Sequence, residues 1–448
     1  MDDSATRILT PMFAVGLFDT PNKNTTANNV TSAAHNALAR RLAARSLVLL
    51  KNDKELLPLS KQARALRRRP APPPAPTACP AAFITTFTTF TTAASTTASG
   101  ATTSCCCASG QVRLALIGAE AKKPTVHGGG SGQVVPYYTS APYDAIVEAV
   151  GDVRRVSYDD GSDPAKAAAL AASAEVAIVF AATDSSEGRD RASLNFDHDA
   201  DALIAAVAKA NAKTVVAGVT PGALLTPWRA EVAAITLGFM PGQEYGHALA
   251  DVLFGDTAPT AKLPLTMPVG ENDLNITEEM WPGVPTPGEC EGTPHANCKS
   301  ALYSEKLLVG YRGYDHLKLV PAFAFGAGLT YTTFALTKLT VQKATGDGLY
   351  TVSVDVANTG ARDGTETPQL YLGFPPSAGE PPSQLRGFTK VELKAGAKQT
   401  VSFGLPARAL SVWDDKAHAW AEAKGTFTVT VGTSSRDAAA LSATFEHA

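Results

Sequence analysis

Glu187 stands in the run Ser185-Ser186-Glu187-Gly188-Arg189-Asp190-Arg191, directly after the apolar stretch Val176–Ala182. A carboxyl on a glycine-containing loop is suited to proton transfer. Cleavage of a glycosidic bond needs one carboxylic acid to protonate the departing oxygen and a second carboxylate to attack or direct water. Its charged neighbours would pull on it in opposite senses. Asp190, if close, raises the acid's pKa, whereas Arg189 and Arg191 lower it. A solvated loop carboxylate is the other reading of the same residues, and by residue type alone the commoner one. A second loop, His127-Gly128-Gly129-Gly130-Ser131-Gly132, offers His127 and Ser131 as polar lining. Glycines there either let backbone approach a ligand or serve a conformationally demanding turn. The run lacks the spacing of a dinucleotide fingerprint, and no Ser-His-Asp order, phosphate loop or metal cluster can be assembled. No metal or cofactor is therefore expected.

The cysteines add little chemistry. Cys79, Cys105, Cys106 and Cys107 fall in a low-complexity stretch, and Cys290 and Cys298 bracket a short loop. The latter two either close a disulfide in an oxidising compartment or remain free thiols. Their spacing is poor for zinc. Composition is ordinary, with 45% hydrophobic and 18% charged residues and a formal net charge of -3. Nothing in that balance calls for a nucleic-acid or membrane partner. No apolar run reaches the roughly 18 residues of a spanning helix. The opening residues Met1–Ser4 show no signal-peptide pattern. The sequons at Asn24, Asn29 and Asn275 are compatible with a secretory life but arise often by chance. The compartment stays open.

The elements that must position these loops are legible as periodicity. Continuous apolar runs occur at Val112–Ile117, Val176–Ala182, Thr214–Val219 and Ala233–Phe239. Helical patterns lie at Tyr143–Val150, Pro164–Ala174, Ala200–Ala212 and Gln243–Phe254, with a further one at His35–Val48. Apolar strands separated by amphipathic helices predict a mostly parallel sheet with helices on both faces, an α/β sandwich. Binding loops then belong at the carboxyl ends of the strands. Four loops are expected on that crest: Gly118–Gly132, Thr183–Arg191, Thr220–Pro227 and Met240–Gly246. From about Leu336 the period becomes two, as in Thr351–Val356, with further short strands at Gln369–Leu372, Val391–Leu393, Thr400–Phe403 and Thr426–Val431. That predicts an antiparallel β-sandwich of fibronectin type III size. Residues 60–110, with Arg67–Arg69, a proline cluster and a Thr/Ala/Ser tract, are expected to be a disordered insert.

Several ordered motifs resemble glycoside hydrolase family 3 of β-glucosidase type. They are Ser46–Asn52 with Leu56–Leu59, Gly128–Ile146, Met240–Glu244, Lys262–Thr266, Tyr303–Glu305 with Val309–Arg312, Phe325–Tyr331, Asn358–Gly360 and Leu385–Phe388. The resemblance runs through nearly all of 1–60 and 110–448. It implies a division into 1–30, the exit of a preceding barrel domain and a linker; 31–270, the α/β domain interrupted by 60–110; 271–335, a connector; and 336–448, a fibronectin type III-like domain. It implies hydrolysis of β-linked glucosides with retention. The Glu of the Ser-Ser-Glu-Gly run, Glu187, would be the general acid/base. His127, Ser131, Arg189, Asp190 and Arg191 would lie near the substrate. No residue matches the nucleophile motif, which belongs to the barrel, so the chain alone is expected to be inactive. Other implied readings are β-xylosidase or β-N-acetylglucosaminidase specificity, while a non-catalytic carbohydrate-binding or scaffolding remnant is a separate alternative. One departure is visible: Lys306 stands where the family commonly has Gly.

Overall fold

The computed structural model describes residues 2–19, 31–61, 113–286, 298–344 and 348–448. From residue 62 on, the low-complexity stretch lies outside these, as do Asn24, Asn29 and Cys290. Helix α1 (Asp2–Ala14) leads; α2 (Ala33–Ser46) follows, its amino end capped by the Ser32 hydroxyl, which accepts from the His35 N–H. The helix predicted over His35–Val48 thus stops at Ser46. Leu47 turns to extended backbone and strand β1 (Val48–Asn52) begins, because Val48, Leu49 and Leu50 are wanted in the sheet.

Next come β2 (Leu114–Ile117), α3 (Pro142–Val150), β3 (Val156–Asp159), α4 (Pro164–Ser173), β4 (Val176–Ala182), α5 (Ala200–Ala210), β5 (Thr214–Val219), β6 (Ala234–Gly238) and α6 (Tyr245–Leu253). The sheet order is β1-β6-β5-β4-β2-β3, parallel throughout except for β1, which runs antiparallel to β6. Alternation within the buried strands sorts the core into two layers. Leu114, Leu116, Ile178 and Phe180 face α2, α3 and α6, while Ala115, Ile117, Val179 and Ala181 face α4 and α5. Both faces are covered, so the strands read as unbroken apolar runs. Strand β3 escapes that signature: it is an edge strand with only Val156 and Asp159 buried. Among the described residues no helix is long and apolar enough to cross a membrane.

A connector carries the short pair β7 (Val284–Pro285) and β8 (Lys299–Ser300) and helix α7 (Tyr311–His316). The β-rich part then holds β9 (Phe334–Lys343), β10 (Tyr350–Asn358), β11 (Gly364–Glu366), β12 (Gln369–Gly373), β13 (Gln384–Phe388), β14 (Val391–Leu393), β15 (Lys398–Leu405), β16 (Ser411–Asp414), β17 (Ala419–Glu422), β18 (Gly425–Gly432) and β19 (Leu441–His447). A three-stranded sheet, β15-β10-β9, and a four-stranded one, β13-β12-β18-β19, enclose a core of Val352, Val354, Leu370, Leu372, Phe403, Phe427 and Val429. The connector motifs make the junction between the two parts. The Tyr311 hydroxyl accepts from the Leu385 N–H at 2.8 Å, and its ring stacks on Phe325 and meets Tyr371 edge-on. Lys262 reaches Glu366 at 2.6 Å, and Arg436 reaches Asp315 at 2.7 Å.

Candidate active site

The chain order of the sheet decides where a site can form. From β2 the chain moves outward to β3; it then crosses back over β2 to β4 and proceeds through β5 and β6 the other way. The loops leaving the neighbours β2 and β4 therefore diverge, one towards α3 on one face and the other towards α5 on the opposite face. Such a reversal opens a crevice outside the carboxyl ends of the strands. The two loops that rim it are His127–Gly132 and Ser185–Arg191.

These loops are laced together. The Gly129 N–H donates to the Ser185 carbonyl at 2.8 Å, and Gly129 and Ser186 form a parallel bridge. Side chains are excluded by the closeness of the approach. A Cβ on Gly130, whose φ is +72°, would lie 2.4 Å from the Glu187 Cβ, and one on Gly129 would lie 2.6 Å from the Ser186 hydroxyl. Only glycine tolerates both that contact and that backbone conformation. The approach brings Ser131 onto the acid: its N–H donates to Glu187 Oε2 at 2.8 Å and its hydroxyl donates to the same oxygen.

Those two bonds hold the Glu187 carboxyl below its ordinary value, the Ser131 hydroxyl first and the N–H second, with a small opposing effect from lost solvation. No charged neighbour among the described residues contributes. The expected opposition of Asp190 against Arg189 and Arg191 is absent for a geometric reason. Arg189 pairs with Asp184 at 3.0 Å, and Arg191 donates to the Ala223 carbonyl at 2.7 Å, where burial lowers its own pKa. Asp190 lies exposed; with Arg189, Arg191, Asp184 and Asp197 it lines an adjoining cavity of about 390 Å³. His127 bonds through Nδ1 to the Gly128 carbonyl at 2.9 Å and lines a separate cavity of about 540 Å³ with Asn36, Tyr137 and Gln243. The structure thus joins Ser131 to Glu187 and sets the other four candidates to either side.

Two further residues shape the loops. Asp197 accepts from the Asp184 N–H at 2.9 Å and the Thr183 hydroxyl at 3.2 Å, pinning the root of the acid loop. Glu244 is only 4% exposed, accepting from the Tyr138 hydroxyl and meeting His247 Nδ1 at 2.7 Å. With the Ser140 N–H donating to the Gln243 carbonyl at 2.8 Å, it ties the segment after Ser131 to the start of α6. Sequence could have hinted at Glu244, a carboxylate at the mouth of an apolar helix. Asp197 carries no such signal. Cys298 is disulfide-bonded, while its sequence-suggested partner Cys290 lies outside the described residues. The described residues hold no group of three or more His, Cys, Asp or Glu placed to hold a metal.

The glycosyl hydrolase family 3 C-terminal domain matches residues 108–331, half of the chain, and the fibronectin type III-like domain matches residues 366–435. The chain belongs to glycosyl hydrolase family 3. "Probable beta-glucosidase L" of Emericella nidulans is 34% identical to it, over 98% of this chain and 58% of the relative. Among solved structures, the β-D-glucoside glucohydrolase of Trichoderma reesei is 28% identical with a TM-score of 0.77, over 100% of this chain and 60% of that one. DesR, a β-glucosidase of Streptomyces venezuelae determined with D-glucose, is 26% identical with a TM-score of 0.79, over 99% and 64%. This family 3 chain therefore spans less than two thirds of each of them, and the crevice that holds Glu187 lies within its family-matched residues.

Proposed function

We propose that this chain is the acid/base-bearing part of a retaining β-glucosidase, with Glu187 as the acid/base and the nucleophile supplied by a barrel domain. The observation that carries this is the position of Glu187: a solvent-facing carboxylate, held by a facing loop, at the mouth of the crevice where the strand order reverses. In the first half-reaction Glu187 gives its proton to the leaving oxygen while a second carboxylate attacks the anomeric carbon. In the second, Glu187 takes a proton from the water that releases the glycosyl-enzyme. A retaining pair stands about 5 Å apart, and a carboxylate so close would raise the Glu187 pKa. No such charge acts on it among the described residues, which favours a nucleophile from elsewhere. Apolar side chains beside the crevice support a covering domain: Val134, Val135 and Tyr137, which follow Ser131, are 75–76% exposed. The β-glucosidase names among its relatives favour glucosides over xylosides or N-acetylglucosaminides. The division into 1–30, 31–270, 271–335 and 336–448 belongs to the same proposal.

Hydrolysis of an aryl β-glucoside tests it in two stages. The 448-residue chain alone turns over no faster than its Glu187→Gln variant; turnover well above that control removes the need for a barrel. A chimera carrying the part of the Trichoderma reesei enzyme that this chain does not span regains activity. In it, Glu187→Gln lowers kcat/KM on poor leaving groups by roughly 10²–10⁴, the usual worth of a general acid. An equal rate in that variant refutes the assignment.

A further inference from the structure

We propose that Ser131 is the positioning residue of Glu187, binding Oε2 through both its N–H and its hydroxyl so that Oε1 is the oxygen that carries the proton. This rests on the acid/base role proposed above. Three observations point to a built device. Both Ser131 donors converge on one carboxylate oxygen, and among the described residues Oε1 accepts no hydrogen bond. The backbone that delivers Ser131 is fixed from below by the Gly129–Ser185 hydrogen bond and the Gly129–Ser186 bridge. Gly130 has its left-handed conformation and no side chain at the point where a Cβ would strike Glu187.

A carboxylate with one oxygen occupied has lost the freedom to exchange its two oxygens by rotation about the terminal torsion, which is otherwise broad and two-fold. The chemistry then has a fixed direction. In the first step the Oε1–H bond breaks and the proton passes to the leaving oxygen, which takes the electron pair of the C1–O bond as the nucleophile bonds to C1. In the second, water attacks C1, gives a proton to Oε1, and the nucleophile leaves with its electron pair. Ser131 donates to Oε2 throughout and loses no proton. Its donors favour the ionised form, so the proton on Oε1 is released more readily to the leaving oxygen. The return step then relies on the placement of Oε1 against the attacking water. Of the charged groups on the loop, Asp184 pairs with Arg189, Arg191 donates to the Ala223 carbonyl, and Asp190 lies exposed at the adjoining cavity; none of them contributes to the lowered Glu187 pKa.

The test is a carbon NMR titration of the full chain labelled at glutamate carboxyls, with the Glu187 resonance assigned by its absence in Glu187→Gln. Removing the hydroxyl in Ser131→Ala moves the Glu187 midpoint to higher pH, and Ser131→Thr restores it towards wild type. Unchanged titration in Ser131→Ala overturns the proposal, as does a shift that threonine fails to reverse. The titration needs no turnover, so its failure is separable from failure of the acid/base reading, which the Glu187→Gln chimera decides. In that chimera Ser131→Ala lowers kcat on poor leaving groups by about tenfold or more with KM little changed, as expected when a reacting group is left misaligned. An equal loss on leaving groups that need no proton overturns the positioning role.

Discussion

Lys262 and Glu366 join the α/β part to the β-rich part, and replacing Lys262 by Met should reveal how much that junction stabilises the protein. The ammonium lies 2.6 Å from Glu366 Oε1 and donates to the Gly328 carbonyl at 2.8 Å; the two side chains are 15% and 9% exposed. Lys262→Met keeps most of the aliphatic stem but leaves the carboxylate with one remaining donor among the described residues, the Thr367 N–H at 2.7 Å. Breaking a buried pair from one side costs about 3–5 kcal/mol, because a charge stays behind uncompensated. The residual exposure lets water reach the pair, which places this case near the lower end, about 3 kcal/mol. Equilibrium urea unfolding measures it directly as a fall in midpoint at unchanged slope. Removing both charges, in Lys262→Met with Glu366→Leu, should recover only part of that loss, leaving about 2 kcal/mol owed to the orphaned Gly328 carbonyl and Thr367 N–H. A single variant within about 0.5 kcal/mol of wild type, the range of ordinary surface changes, would refute the reasoning. So would a double variant as unstable as the single.

Three other outcomes follow from particular residues. Gly130→Ala, with its Cβ 2.4 Å from that of Glu187 and φ at +72°, should raise the Glu187 titration midpoint by dislodging Ser131; Gly132→Ala, with nothing within 4 Å, should leave it alone. Lys306 sits at φ 49° and is exposed; Lys306→Gly relieves a left-handed strain of about 1–2 kcal/mol against a glycine entropy cost of about 0.5–1. A net gain of up to about 1.5 kcal/mol should appear in thermal unfolding. Peptide mapping without reduction should find Cys298 joined to Cys290, and recovery of Cys290 as a free thiol would exclude that pairing.

The buried strands are legible in the sequence because each is wholly covered, and only an element buried on both faces can carry an unbroken apolar run at that length. Strand β3 is not, since an edge strand with two buried residues has neither the run nor a clear alternation. β1 merges with the preceding helix in the pattern, because Leu47 and Val48 continue an apolar series and the break lies in backbone angles. The four crest loops can be predicted as a set, but not which of them closes on Glu187. That depends on the order β4-β2-β3, a matter of long-range pairing with no local signature. The same gap accounts for the acid's environment. Its adjacent charges are the visible candidates for shifting it, yet the group that does so is 56 residues away in sequence. Lys306, a departure from a glycine, occupies the left-handed backbone that a glycine would suit.

One of the two hydrogen bonds that hold Glu187 comes from a main-chain N–H, which no substitution short of proline removes. Tolerance at the crevice should accordingly be lopsided. In a library of the chimera randomised at position 131, many side chains would still present that N–H and keep the carboxylate partly steered, so activity would decline by degrees. Randomised at position 130, the same loop would fail for almost every residue but glycine. The robustness of the site thus resides in a residue that performs no chemistry, and its fine adjustment in the one beside it.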